Sequence, residues 1–304
     1  MAGQTTHYLK LHFIILIWGF TAILGLYIAI PAVEMVFYRT LIATVALALL
    51  LAIRRKSFRL EKTDMLKILA TGSLIAAHWI LFFVAARVAN ASVCLAGMAT
   101  CSLWTSFLSP LFTRSKIKPY EVGLGLLVIV GLYVIFRFEF DHALGFLLAI
   151  ISALLAAIFT IINAKLVVRH DPYTITFYEM AGACLSVVLF FPFYLAFLSA
   201  DGVLHLAPSL SDWGFLLILA LVCTVYAYSV SVDLMKYVTA FAMTLTNNLE
   251  PVYGIILAAL FLKEYENLSV QFYLGTGIIL LSVLAYPVIR RYLRRRALAA
   301  EMAK

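Results

Sequence analysis

Stretches of about twenty consecutive apolar residues, each long enough to cross the roughly 30 Å hydrocarbon core of a bilayer, recur from one end of this chain to the other. No other feature restricts its fold as much. In hydrocarbon a backbone must satisfy its own hydrogen bonds, and only helices or closed barrels do so. Barrel strands alternate apolar and polar residues, whereas the runs here are continuous. Ten spans are expected, at approximately residues 11–30, 33–53, 65–86, 91–113, 119–137, 143–166, 174–199, 212–235, 239–262 and 270–290. The connections between them are short, so no large soluble domain is expected. The charged share is 12%, half the ~25% of soluble domains. The expected class is an all-α polytopic membrane protein. Leu11–Ile30 is too long for the apolar core of a typical signal peptide and leads directly into another span, so it reads as a retained helix.

The charges orient the chain. With the N-terminus in the cytoplasm, one side collects Arg54, Arg55, Lys56, Arg59 and Lys62, then Arg114, Lys116, Lys118, Lys165 and Arg169, and finally the tail arginines 290–296. The other side receives only Arg87, Arg137 and Lys263. This is the positive-inside asymmetry. It predicts a multi-pass protein of the inner (cytoplasmic) membrane with both termini cytoplasmic. It also accounts for the net charge of +8 through topology and anionic headgroups, with no nucleic-acid partner. Cys94, Cys101, Cys184 and Cys223 all lie inside apolar runs. Their spacing fits neither a metal site nor a disulfide framework, so they read as packing residues. No metal and no cofactor is expected.

The two halves resemble each other. FYRT (37–40) opens the second span and FYEM (177–180) the seventh; residues 89–108 match 238–257 in character, and 123–134 match 275–286. Five spans per half is an odd number, so the second copy enters the membrane from the opposite side, the inverted repeat of many secondary transporters. The expected division is 1–140 for the first five-helix repeat, 141–290 for the second, and 291–304 for a basic cytoplasmic tail.

On IWGFTAILG (17–25), FYRTLIA (37–43) and NNLEPVYGIILAALFLKE (247–264), followed by Gly275-x-Gly277, the chain resembles the drug/metabolite transporter superfamily, of the EamA type. The resemblance covers the whole chain. It implies ten transmembrane helices as two inverted five-helix repeats, a central cavity and alternating access. It further implies a small-molecule metabolite as partner, such as an amino acid, amine or nucleotide-linked compound, often exported. The first half departs from the pattern: Cys101 stands opposite Glu250, and Ser102 opposite Pro251. Any function resting on the carboxylate–proline pair is therefore asymmetric.

Ionisable groups inside spans cost roughly 2.5–3.5 kcal/mol to insert and usually face the bundle interior, so they mark the candidate site. At 3.6 residues per turn, span nine places Asn247, Glu250 and Pro251 on one face with Ala240, Met243 and Gly254. Pro251 cannot donate to the carbonyl of residue 247, and a break of this kind must line a cavity or be buried in protein. Glu250 is open to three roles: ammonium anchor, protonatable coupling site, or brace for the kink. His78 in span three reads as a ligand or titrating residue, or as a packing histidine. Trp18, Trp104 and Asn163 lie on small-residue stripes that suit either a cavity wall or close helix packing. Arg39 and Glu179 occupy equivalent repeat positions at opposite depths, so each is expected to serve its own mouth or gate rather than to pair.

The expected function is secondary transport of a small polar or zwitterionic metabolite, with protons or the substrate gradient alone as driving force, by a monomer. No ATP-binding or hydrolase signature is present, so no enzymatic activity is expected. The alternative is a lipid-handling or non-transporting receptor protein on the same fold.

Overall fold

The computed structural model describes residues 2–136, 143–253 and 270–302. Arg137, Lys263, Glu264 and the second half of the expected ninth span lie outside the described residues. The described secondary structure is helical throughout: α1 (Ala2–Trp18), α2 (Thr21–Tyr27), α3 (Ala32–Ile53), α4 (Lys62–Val88), α5 (Ala91–Met98), α6 (Thr100–Thr113) and α7 (Pro119–Phe136) in the first half. The second half contains α8 (Ala143–Leu166), α9 (Pro172–Phe197), α10 (Leu210–Leu217), a π-helical stretch Ile218–Tyr226, α11 (Ala227–Leu234), α12 (Ala240–Asn247) and α13 (Val270–Met302). Eight segments among the described residues are long and apolar enough to cross a membrane, and Pro119–Val134 is apolar but shorter. The protein is a multi-pass membrane protein.

Several expected single spans are broken helices. α1 and α2 are separated at Gly19–Phe20, α5 and α6 at Ala99, and α12 ends at Asn247 before helical backbone resumes over residues 250–253. α5 and α12 are built alike. Asn90 caps α5 by accepting from the Val93 amide at 2.8 Å, and Thr239 caps α12 by accepting from the Ala242 amide at 3.2 Å. Each helix runs eight residues and then stops. Only the second break has a proline beside it. In the first, the hydroxyls of Thr100 and Ser102 donate to the carbonyls of Gly97 and Ala99 at 2.7 and 3.3 Å, which supplies donors from side chains where the helix ladder fails.

Small residues let the helices approach. α4 and α9 cross where Gly72 faces Gly182: a Cβ at Gly72 would lie 2.2 Å from the Glu179 carbonyl oxygen, and one at Gly182 would lie 2.2 Å from that of Leu69. Beside this crossing the Ser73 and Ser186 hydroxyls bond at 2.7 Å. α7 packs along α13, where Ser282 donates to the Leu124 carbonyl at 2.8 Å. At one end of the bundle, Arg87 donates to the carbonyls of Gly25 and Ile28 at 3.0 and 2.9 Å, a cation on the unpaired carbonyls ending α2.

Because the α4–α9 contact is backbone on backbone, no side chain can yield to an added methyl. Gly72→Ala is expected to cost about 1–3 kcal/mol, the typical cost of overpacking, read as a lowered thermal unfolding midpoint in detergent. An unchanged midpoint would show that the two helices are free to separate.

Candidate functional site

Residues from both halves enclose a cavity of about 120 Å³. One wall is the α12 break. There the Asn248 and Leu249 amides reach only three residues back, to Leu245 at 3.3 Å and Thr246 at 3.0 Å, and Pro251 has no N–H to offer Asn247. The break presents Asn247, Asn248, Glu250 and Pro251 to the cavity. Asn248 is anchored across the bundle, donating from Nδ2 to Ser102 Oγ at 3.1 Å. Asn247 Oδ1 is buried with no partner among the described residues, an acceptor left over for a ligand or a water.

Trp18 and Thr21 form the adjoining wall at the α1–α2 break. Trp18 donates through Nε1 to the Cys223 carbonyl at 3.0 Å. The Thr21 hydroxyl lies 2.7 Å from the Trp18 carbonyl and 3.4 Å from Glu250 Oε1. A hydroxyl has one proton, and the shorter contact claims it, so Thr21 holds Glu250 only weakly.

Arg39 lines the same cavity and is 3% exposed. Its guanidinium carbon sits 3.8 Å from the centre of the Trp79 ring, a cation–π contact. Its Nε donates to Thr224 Oγ1 at 2.8 Å. Thr224 in turn donates to the Leu219 carbonyl, five residues back, at 2.9 Å, the spacing a π-helix produces. The π stretch therefore aims a hydroxyl at the arginine. Among the described residues no ion pair reaches Arg39 or Glu250.

His78 lines the cavity next to Trp79. Ser152 Oγ donates to the His78 carbonyl at 2.8 Å, which uses its only proton. Its oxygens, Oγ at 2.8 Å and the carbonyl at 3.0 Å from His78 Nδ1, are then both acceptors. This fixes the proton of the neutral ring on Nδ1 and leaves Nε2 as an acceptor. Phe159 packs its ring edge against the imidazole, with centroids 5.4 Å apart.

Asn163 and Glu179 stand behind the cavity rather than in it. Asn163 donates from Nδ2 to the Tyr228 hydroxyl at 2.9 Å, and Tyr228 donates to Glu179 Oε2 at 3.1 Å. Asn163 and Glu179 are fully buried, and Tyr228 itself lines the cavity. Trp104 is half-buried against the core, away from the cavity lining, with Nε1 unpartnered among the described residues. The structure thus brings together Trp18, Arg39, His78, Asn247, Glu250 and Pro251, and keeps Trp104, Asn163 and Glu179 out of direct contact with that space. Thr21 shares the span-one stripe with Trp18, whereas sequence reasoning missed Trp79 and Tyr228. For Trp79 the signal was its place beside His78.

The described residues hold no cluster of three or more histidine, cysteine, aspartate or glutamate side chains fit for a metal ion. The arrangement is one of recognition: one carboxyl, one guanidinium, an imidazole acceptor and aromatic walls, in a space made by interrupted helices.

Comparison with known proteins bears on the family and the fold. The model of the EamA-like transporter family matches residues 8–137 and again residues 143–286. A protein named as the uncharacterized transporter YxxF of Bacillus subtilis is 23% identical over 296 residues, covering 95% of this chain and 91% of its own. A protein of Pseudomonas aeruginosa named as the pseudopaline exporter CntI is 28% identical over 198 residues, which is 64% of this chain and 65% of that one. A protein of known crystal structure shares the fold with a TM-score of 0.74 at 16% identity, covering 95% of this chain and 99% of its own.

Tyr228 is the hinge of the buried cluster. Tyr228→Phe deprives Glu179 Oε2 and Asn163 Nδ2 of their shared partner at once, and a buried unsatisfied polar group costs about 1–3 kcal/mol. The expected outcome is a clear fall in thermal stability in detergent. Stability equal to the parent would mean that water replaces the hydroxyl.

Proposed function

Since the chain belongs to the EamA-like transporter family, we propose that it is a secondary transporter exporting a small zwitterionic metabolite, such as an amino acid, by alternating access through the central cavity. The observation that carries this reading is that groups of opposite charge type, Glu250 and Arg39, line one cavity. Glu250 and Arg39 both line the space and neither is neutralised by an ion pair among the described residues. A ligand bearing an ammonium and a carboxylate completes both, which a purely apolar or singly charged ligand does not. Trp18, Trp79 and Phe159 supply the aromatic surface that small-molecule sites use. The relative named as an exporter supports the direction.

In this reading the fold is ten spans in two inverted five-helix repeats, residues 1–140 and 141–290, with a basic cytoplasmic tail over 291–304. The double match to one family model supports the repeat, as do the equivalent caps and breaks of α5 and α12. The asymmetric distribution of lysine and arginine supports an inner-membrane protein with both termini in the cytoplasm. Asn247, Glu250, Trp18 and His78 act as ligand contacts and Pro251 holds the break. Arg39 is the carboxylate contact as well as part of the mouth. Asn163 and Glu179 set the position of Tyr228. Trp104 supports the wall formed by α6. Protons are the expected coupling ion where Glu250 or His78 exchanges one with the cavity, and a single copy suffices because each half completes the cavity of the other.

The test is uptake into proteoliposomes, screened across amino acids, amines and nucleotides. Glu250→Gln is expected to lower transport at least about tenfold, the cost of roughly 1.4 kcal/mol of recognition, with little change in thermal stability. Retained transport would remove Glu250 from the mechanism. His78→Ala is expected to abolish the thermal stabilisation given by a transported substrate; an undiminished shift would place the ring outside the site. Movement of lipid in place of metabolites would favour the lipid-handling alternative.

A further inference from the structure

A second chamber, of about 430 Å³, lies beyond the first along the same helices. α6, α8, α11 with the residues that follow it, and α12 line both spaces with successive turns. α8 gives Ala156 and Phe159 to the central cavity and Ala164 and Lys165 to the second chamber. α12 gives Asn247 and Met243 to the first, and Phe241 to the second. Met235 borders both, and it is 7% exposed. Two spaces stacked on shared helices and divided at one flexible side chain describe one path with a plug in it.

The chamber is basic. Lys118, Lys165, Lys236 and Arg290 line it, against one carboxylate, Glu121. Lys118 pairs with Glu121 at 3.1 Å and Lys236 with Asp233 at 2.7 Å. Lys165 is held by the uncharged carbonyl and the ring of Phe112, and Arg290 is exposed. Two positive charges therefore remain without an opposite charge among the described residues, in a recess where fields are focused.

We propose that this chamber is an anteroom that receives the anionic group of the cargo, a carboxylate or phosphate, and that Met235 is the plug separating it from the central cavity. The proposal rests on the transport reading above, because it makes the chamber the basic-side portion of the transport path. Lys165 and Arg290 draw in the anion; Arg39 receives it once Met235 moves aside. A thioether on a flexible stem suits this task, since methionine refits its surroundings at low cost.

The native thiols of Cys101 and Cys223, both on the central cavity, report passage without any need for the natural substrate. In a Cys184→Ser background, vesicles are treated with a sulfonate-bearing or a trimethylammonium-bearing methanethiosulfonate. Each reagent is added to the face that carries the C-terminal arginines, and labelling of Cys101 and Cys223 is followed by mass. Labelling of the parent is expected to be slow, and Met235→Ala should accelerate it about tenfold, while the volume-keeping Met235→Leu leaves it slow and guards against general loosening. In the Met235→Ala protein the anionic reagent should be about tenfold faster than the cationic one, the scale of electrostatic focusing, and Lys165→Gln with Arg290→Gln should erase that preference but not the acceleration. A rate unaffected by Met235→Ala, or a preference that survives loss of both cations, overturns the proposal. So does a preference seen in phosphatidylcholine vesicles but lost when phosphatidylglycerol is added, which would assign the chamber to a lipid headgroup. Charge-selective labelling together with an uptake screen that finds no cargo would sink the transport reading instead, leaving an anion-accepting chamber of other purpose.

Discussion

A helix in hydrocarbon that breaks its own hydrogen-bond ladder must find other partners for the freed groups, and most of this protein's architecture follows from how it meets that demand. The breaks at Gly19–Phe20, Ala99 and Asn248–Leu249 converge on one cavity, where each contributes side chains to the wall. Around them, hydroxyls and amides replace the missing ladder: Thr100 and Ser102 beside Ala99, Asn248 reaching to Ser102, and Trp18 reaching to the Cys223 carbonyl. The cavity is thus the place where irregular backbone is affordable, and the irregular backbone is what makes room for a cavity. The π stretch Ile218–Tyr226 belongs to the same set, since its shifted spacing brings Thr224 to Arg39.

Buried charge is treated in two ways. Glu179 sits behind the cavity, accepting from Tyr228, which in turn accepts from Asn163. Glu250 and Arg39 are instead left facing a common space with weak or neutral partners. Arg39 keeps its orientation through a hydroxyl and an indole face, neither of which cancels its charge. No direct ion pair joins them among the described residues, and an uncompensated buried ion costs several kcal/mol.

Much of this was legible in the sequence because the bilayer simplifies the code. Long apolar runs gave the helices, and the polar interruption at 246–254 marked a break that coincides with the end of α12. The α8 stripe of Ser152, Ala156, Phe159 and Asn163 does share one face: Ser152 holds His78, Ala156 and Phe159 line the cavity, and Asn163 stands one turn deeper. What could not be read was depth and reach. Arg39 was placed near an outer mouth from its distance along the helix, but a long side chain laid over Trp79 extends into the cavity. The breaks at Ala99 and at Gly19–Phe20 have no proline to announce them. Trp104 falls on the same helical stripe as Cys101, and only packing tells which of the two meets the cavity.

The first-half break also bears on the role of Pro251. α5 stops at Met98 with no proline near, so an interruption at this place in the bundle does not require one; Ala99 still keeps its bond to the Leu95 carbonyl at 3.1 Å. Proline at 251 then does less to create the second break than to keep it from closing, because it permanently removes the one donor that could restore the bond to Asn247. The first half retains that donor at Ser102, inside α6. The two breaks therefore differ in kind, and Glu250 sits beside the one that proline keeps open.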